Sequence, residues 1–388
     1  MQDFSFQHPG RLLCGESLKE TFAAEAKKIS ERALLICGPH FARSGELPEL
    51  EAALEKEGIR CWLVPDLRIP SIEHARVLWA LCRRNGIGLV VGAGGATVMD
   101  FAKVVACGAA EDEDIWPVIA ERGTADGMKR IGLATVPTYP SSGSDLDGAA
   151  EMVEKETGRM GGLYGDALRA DLCWLNPGYL TDIPPQMLAY GAVTAAIQAS
   201  VAYLAMPRCD FQEQSALAVI RTIFKNLPLA LENGKDKRAL GELQLAACMN
   251  GFGPTYFGKD GIDFSLYFIE GMAELYWDIP YVPAITILFP HWLRAVWQDN
   301  DLFRDYFRQV WQVETEGLSG AEVLEKGLAV IRETYEVLGI AWTFKGLKPM
   351  PENRSKLLKI VKDPGPCECA FRTFSDEDLV SLIESAVG

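Results

Sequence analysis

The chain is short of positive charge and of histidine. Its 388 residues carry 38 lysines and arginines against 53 aspartates and glutamates, a formal net charge of −15, and only four histidines. So acidic a surface offers no general attraction for nucleic acid or anionic membranes, which require basic patches, and neither is expected as a partner. The N-terminal MQDFSFQHPGRLLCGE lacks a basic region followed by an apolar core, so no secretion signal is expected. The longest charge-free run, 184–207, contains Gln186, Thr194, Gln198 and Ser200 and reads as a helix buried inside a domain rather than a membrane span. The ten cysteines are scattered, and only Cys367 and Cys369 stand close. C-x-C alone is a weak metal or redox signal, so ten reduced thiols in the cytoplasm are expected. There is no internal repeat and no low-complexity linker.

What is present is an alternation. ALLIC (33–37), CWLV (61–64), IGLVV (87–91) and IGLATV (131–136) are apolar runs too short for helices, separated by helical patterns. In SIEHARVLWALCRRNG, Ser71 suits an N-cap and Gly86 a left-handed stop. Strand–helix alternation implies a parallel sheet covered on both faces. After about Pro184 the strand signal fades and helical patterns continue nearly to the end. The expected architecture is an α/β domain over 1–184 and an all-helical domain over 185–388, with the cleft between domains as the default ligand site.

Two loops suit a dinucleotide. IGLVVGAGGATVMDFAKVVA (87–106) reads as buried strand, glycine turn and helix. Gly92, Gly94 and Gly95 leave room for a close phosphate, and the helix start favours an anion. Thr97 can cap that helix, with Asp100 completing a capping box. The second loop, PTYPSSGSD (137–145), offers hydroxyls from Thr138, Ser141, Ser142 and Ser144. Small, polar loops at the carboxyl ends of parallel strands are what a dinucleotide crevice requires. There is no G-x-G-x-x-G after the first clear strand, where Gly38, Pro39, His40 and Phe41 follow instead.

These loops, in this order, resemble the iron-containing alcohol dehydrogenase family. The family's GGGS-x-x-D-x-x-K stands here as Gly94, Gly95, Ala96, Thr97, Asp100 and Lys103, and its P-T-T-A-G-T-G-S-E as PTYPSSGSD. FSFQHPGRLLCGE, WLNPGYLTDIPPQ and ITILFPHWLRA resemble further family segments, so the match spans most of the chain, nearest the NADPH-dependent butanol dehydrogenase branch. The resemblance implies cofactor contacts from Gly38, Gly94, Gly95, Ala96, Thr97, Asp100, Thr138 and Ser142, and NADP or NAD as cofactor. Gly38 stands where many members carry an aspartate that repels a 2′-phosphate, with His40, Arg43 and Ser44 close by, which favours NADP(H). The implied substrate is a small alcohol or aldehyde; a homodimer is left open.

The resemblance also implies a divalent metal held by one Asp and three His. In this chain Gly191 and Ala195 occupy the first two ligand positions, Tyr267 and Tyr281 the last two, and Gly271 the place of a non-ligand histidine. No divalent metal is therefore expected. Three readings follow. The first is a metal-free NAD(P)-dependent alcohol or aldehyde oxidoreductase with Tyr267 or Tyr281 as proton donor, provided a cation lowers the phenol pKa; Lys259 is the nearest in sequence. The second retains a metal through Glu270, Glu274, Asp278, Asp263 or Cys248, although the four-residue spacing of the first three fits a wet helix face better. The third is a nucleotide-binding, non-catalytic paralogue acting as sensor or interaction protein.

Overall fold

The computed structural model describes residues 1–348, 367 and 369–388. The first half carries strands β1 (Arg11–Cys14), β2 (Arg32–Cys37), β3 (Arg60–Val64), β4 (Leu89–Gly94), β5 (Gly123–Thr124), β6 (Gly132–Pro137), β7 (Ala149–Glu154), β8 (Arg159–Tyr164) and β9 (Leu172–Leu175). Between them run helices α1 (Lys19–Ile29), α2 (Pro39–Arg43), α3 (Glu46–Lys56), α4 (Ile72–Asn85), α5 (Ala96–Ala110) and α6 (Trp116–Ala120). The second half contributes α7 (Pro185–Leu204), α8 (Asp210–Glu232), α9 (Lys237–Phe252), α10 (Ser265–Trp277), α11 (Tyr281–Val296), α12 (Asp301–Trp311) and α13 (Gly320–Val337). A last helix spans Asp376–Val387.

The chain forms two compact units. One comprises Ser5–Ile183 with Asn233–Gly253; the other comprises Met1–Phe4, Pro184–Glu232 and Pro254–Gly388. The first is α/β and takes in α9 from the second half of the chain. Its main sheet has the order β1-β9-β6-β4-β2-β3, and every neighbouring pair is parallel. All of β4 is buried and β2 is buried beyond Arg32, as expected of strands covered on both faces. The four apolar runs of the sequence are β2, β3, β4 and β6. Ser71 caps α4 by accepting from the His74 N–H at 3.4 Å, and Gly86 ends it at φ 63°. A small second sheet, order β5-β8-β7, has no counterpart in the apolar runs, because its strands are short or half exposed.

The second unit is helical, and none of its described residues lies in a strand. Helix α7 is buried from Leu188 to its end and packs against α8 and α11. It is the one described helix long and apolar enough to cross a membrane, but 94% of that window lies inside the protein. The Thr194 hydroxyl bonds the Tyr190 carbonyl oxygen at 2.9 Å and lies 3.2 Å from the Thr286 hydroxyl, joining α7 to α11.

Candidate functional site: nucleotide loops and a tyrosine cluster

In the α/β unit β3 lies on one side of β2 and β4 on the other, so the winding reverses between β2 and β4. Ligands of open α/β sheets bind outside the carboxyl ends of strands at such a reversal. Gly38 follows β2, Gly95 follows β4 and Thr138 follows β6. The Gly38 N–H donates to the Ala93 carbonyl oxygen at 3.2 Å, and the Thr138 N–H to that of Gly94 at 2.9 Å. The three chain ends therefore leave the sheet side by side. Gly94, Gly95, Ala96 and Met99 from one loop and Pro137, Tyr139 and 141–145 from the other line a single cavity, which includes the expected Gly94, Gly95, Ala96 and Ser142. Gly38, Thr97, Asp100 and Thr138 are not in its wall.

Two local expectations fail here. Thr97 does not cap α5: the N-cap is Gly95, with no side-chain cap, and Thr97 is an exposed residue of the first turn. The helix start therefore lacks its own side-chain acceptor, a condition that suits an anion. Asp100 does not close a capping box either. It accepts from the Ser144 hydroxyl and from the Glu151 N–H at 3.1 Å. Burial, with Asp147 nearby and against the pull of Lys103, pushes its carboxyl up to about 7. Lys103 is fully buried and donates to Ser144 Oγ at 3.0 Å, to the Ala149 carbonyl oxygen at 2.6 Å and to Asp147. Asp100 and Lys103 thus brace the serine loop from below.

Helix α9 supports that loop from another direction. The Gln244 amide donates to the Pro137 carbonyl oxygen at 2.8 Å. Gly143, at φ 77°, and Gly251 meet backbone to backbone: a Cβ on Gly251 would stand 1.9 Å from the Gly143 carbonyl oxygen. Asp145, Cys173 and Cys248 meet here as well, one ligand atom from each lying within 4.8 Å of the others, all buried. Nothing in their sequence positions suggests this meeting, since they sit on a loop, a strand and a helix far apart in the chain.

In the helical unit, Gly191, Ala195 and Gln198 fall on one face of α7 at spacings of four and three. The Gln198 amide donates to the Tyr281 hydroxyl at 3.1 Å, bringing the first residue of α11 onto that face. Burial pushes the Tyr267 phenol well up, and Tyr281, Tyr256 and Glu270 push it in the same direction. The two candidate tyrosines are therefore neighbours. Among the described residues, the groups that act on Tyr267 are Tyr281, Tyr256 and Glu270, none of them a cation. Lys259 instead donates to the Ala205 carbonyl oxygen at 2.6 Å. The acidic stripe on α10 is not uniformly wet: Glu270 is 5% exposed, whereas Asp278 is exposed and ends the helix at φ 51°. Asp263 is tied to Ser265 and to the Ala370 N–H. Glu270, Glu274, Asp278, Asp263 and Cys248 do not gather into a metal-ligand group among the described residues. His291 is held by the Ser385 hydroxyl at 2.9 Å and the Trp342 carbonyl at 3.1 Å.

The family model for iron-containing alcohol dehydrogenase matches residues 9–177, and that for the C-terminal region of the Fe-containing alcohol dehydrogenase family matches 188–387. The chain belongs to the iron-containing alcohol dehydrogenase family. Within this family it is 24% identical to NADH-dependent butanol dehydrogenase A of Clostridium acetobutylicum, over the whole of both chains. It is 23% identical to the NADPH-dependent aldehyde reductase YqhD of Escherichia coli, over 88% of each. The crystal structure of NADH-dependent butanol dehydrogenase A from Thermotoga maritima superposes with a TM-score of 0.90 at 22% identity, covering 100% of this chain and 99% of that one, and confirms the fold. The family is one of alcohol and aldehyde oxidoreductases, and the two relatives named depend on NADH and NADPH respectively.

Proposed function

We propose that this protein is a nicotinamide-nucleotide-binding oxidoreductase of small alcohols or aldehydes that works without a divalent ion at the family's metal position. The α/β unit holds the nucleotide phosphates through the glycine turn of 94–96, the uncapped start of α5 and the serine loop. Gly38, Thr97 and Thr138 stand at the ends of the same strands, and Asp100 acts through the loop it braces. The bound cofactor supplies or accepts a hydride. NADP(H) is bound at least as well as NAD(H), because Gly38 presents no carboxylate and a 2′-phosphate finds the exposed Arg43 and His40 nearby.

The four positions matched to the family's metal ligands do not fit a divalent ion. Gly191 and Ala195 have no donor atom, and burial keeps the Tyr267 phenol protonated. A dication needs anionic or imidazole ligands. The observation that carries this reading is the Gln198–Tyr281 hydrogen bond. It draws Tyr281 onto the α7 face that bears Gly191 and Ala195, as expected if those positions once converged on an ion. In place of a Lewis acid, the Tyr267 and Tyr281 hydroxyls hold the substrate's carbonyl oxygen by hydrogen bonds. A hydrogen bond supplies only part of the several kcal/mol a metal provides, so turnover is slow.

Calorimetric titration with NADPH and NADH, paired with assays of short-chain aldehydes with and without added Fe²⁺ or Zn²⁺, tests the reading. Micromolar nucleotide binding and weak, metal-independent turnover support it. Nucleotide binding with no turnover on any carbonyl compound replaces it with the non-catalytic sensor, and clear preference for NADH removes the NADP(H) assignment.

A further inference from the structure

Asp145, the last residue of the serine loop and a lining residue of its cavity, meets Cys173 and Cys248 in a buried group whose ligand atoms take no part in the proposed reaction. Asp145 closes the loop after β6, Cys173 lies on β9, and Cys248 lies on α9, all within the α/β unit. Asp145 is 6% exposed, Cys173 0% and Cys248 1%. Their ligand atoms lie within 4.8 Å of one another, with Cys173 Sγ 3.8 Å from Asp145 Oδ2. A thiol is a weak donor and a poor partner for a buried carboxylate. Lys103, the buried cation that acts on Asp145, is engaged with Ser144, Asp147 and the Ala149 carbonyl.

We propose that Asp145, Cys173 and Cys248 bind one soft divalent ion of the zinc class through two thiolates and one carboxylate. The donor set selects the ion: thiolates favour zinc-like ions, whereas magnesium and calcium demand all-oxygen cages. The geometry is close to what such an ion requires. Zinc–sulfur bonds of about 2.3 Å and zinc–oxygen bonds of about 2.1 Å place tetrahedral ligand atoms roughly 3.5 Å apart, so side-chain adjustments of an ångström or less close the site. The residues also come from three separately anchored elements. The Gly143–Gly251 contact fixes loop to helix, and the Thr135 hydroxyl donates to the Asp145 carbonyl oxygen at 3.0 Å. An ion here pins the serine loop to β9 and α9. It has no ligand in common with the four helical positions, and its role is to order the nucleotide loop.

The test loads the full-length, anaerobically purified protein with Zn²⁺ or Co²⁺. About one ion per chain is expected, and the Co²⁺ form should show thiolate-to-cobalt charge-transfer absorption. Both signals should disappear in Cys173→Ala and Cys248→Ala and persist in Tyr281→Phe. If the cysteine variants do not fold, alkylation of the natural chain mapped by mass spectrometry replaces them, with Zn²⁺ expected to protect Cys173 and Cys248 selectively among the ten thiols. Three results overturn the proposal: no uptake by folded protein, uptake or protection that does not involve these two cysteines, or a Cys173–Cys248 disulfide in the anaerobic material.

Discussion

On the proposed reading, the two units differ from the family pattern in different ways. In the α/β unit the motif residues differ by small steps, Ala96 and Thr97 standing for Gly and Ser, and the loops still line one cavity at the winding reversal. In the helical unit, on the ligand matching proposed above, Gly191, Ala195 and two phenols stand where the family pattern has a carboxylate and imidazoles. A phosphate cradle is built mainly from backbone N–H groups and absence of bulk, so small residues substitute for one another there. A metal site is built from side-chain donors, so each replacement removes a ligand outright. On that reading a backbone-built site fades gradually in sequence, whereas a side-chain-built site is lost residue by residue.

The sharpest way to break the first half of the comparison is Gly251→Ala. Its Cβ would meet the Gly143 carbonyl oxygen at 1.9 Å, so one backbone must move. Overpacking of this kind costs about 3 kcal/mol, and the expected outcome is a clear fall in Tm with loss of nucleotide binding. Gly95→Val separates binding from stability. A Cβ at Gly95 has no contact nearer than Tyr139 Cβ at 3.8 Å, so the fold tolerates it, but the branched side chain enters the cavity. Calorimetry should show NADPH affinity at least about tenfold weaker, equivalent to about 1.4 kcal/mol, with Tm nearly unchanged. An unaltered affinity would move the nucleotide away from this loop.

Smaller effects test each unit's internal ties. Tyr281→Phe removes the bond from Gln198. About 1 kcal/mol of stability should be lost, visible in urea denaturation, together with most residual carbonyl turnover and no change in NADPH affinity. Asp100→Asn bears on pH dependence. Burial raises the Asp100 carboxyl from 3.8 to about 7, so the folded state binds its proton more tightly than the unfolded chain. Its contribution to stability is full below the unfolded value and is lost as pH rises from about 4 towards 7. Denaturation midpoints across that window should decline less steeply in the variant than in the natural chain.

Much of the α/β unit was legible because buried parallel strands announce themselves as short apolar runs. Ser71 and Gly86 were equally readable, since each serves a local backbone requirement. Thr97 misleads: a hydroxyl beside a helix start resembles a cap, but Gly95 holds that place. The burial of Glu270 was also hidden, because four-residue spacing defines a helix face without saying what covers it. The support from α9 could not be read at all. Gln244, Cys248 and Gly251 act on a loop about a hundred residues earlier, and no local pattern encodes so distant a contact.

The replaced-ligand account is tested most directly by rebuilding the site. The variant combining Gly191→Asp, Ala195→His, Tyr267→His and Tyr281→His should fold, bind NADP(H), and after incubation with Fe²⁺ or Zn²⁺ and removal of excess carry one tightly held ion per chain more than the natural protein. Equal metal content in the two folded, nucleotide-binding proteins would contradict the account, because the four positions would then not converge.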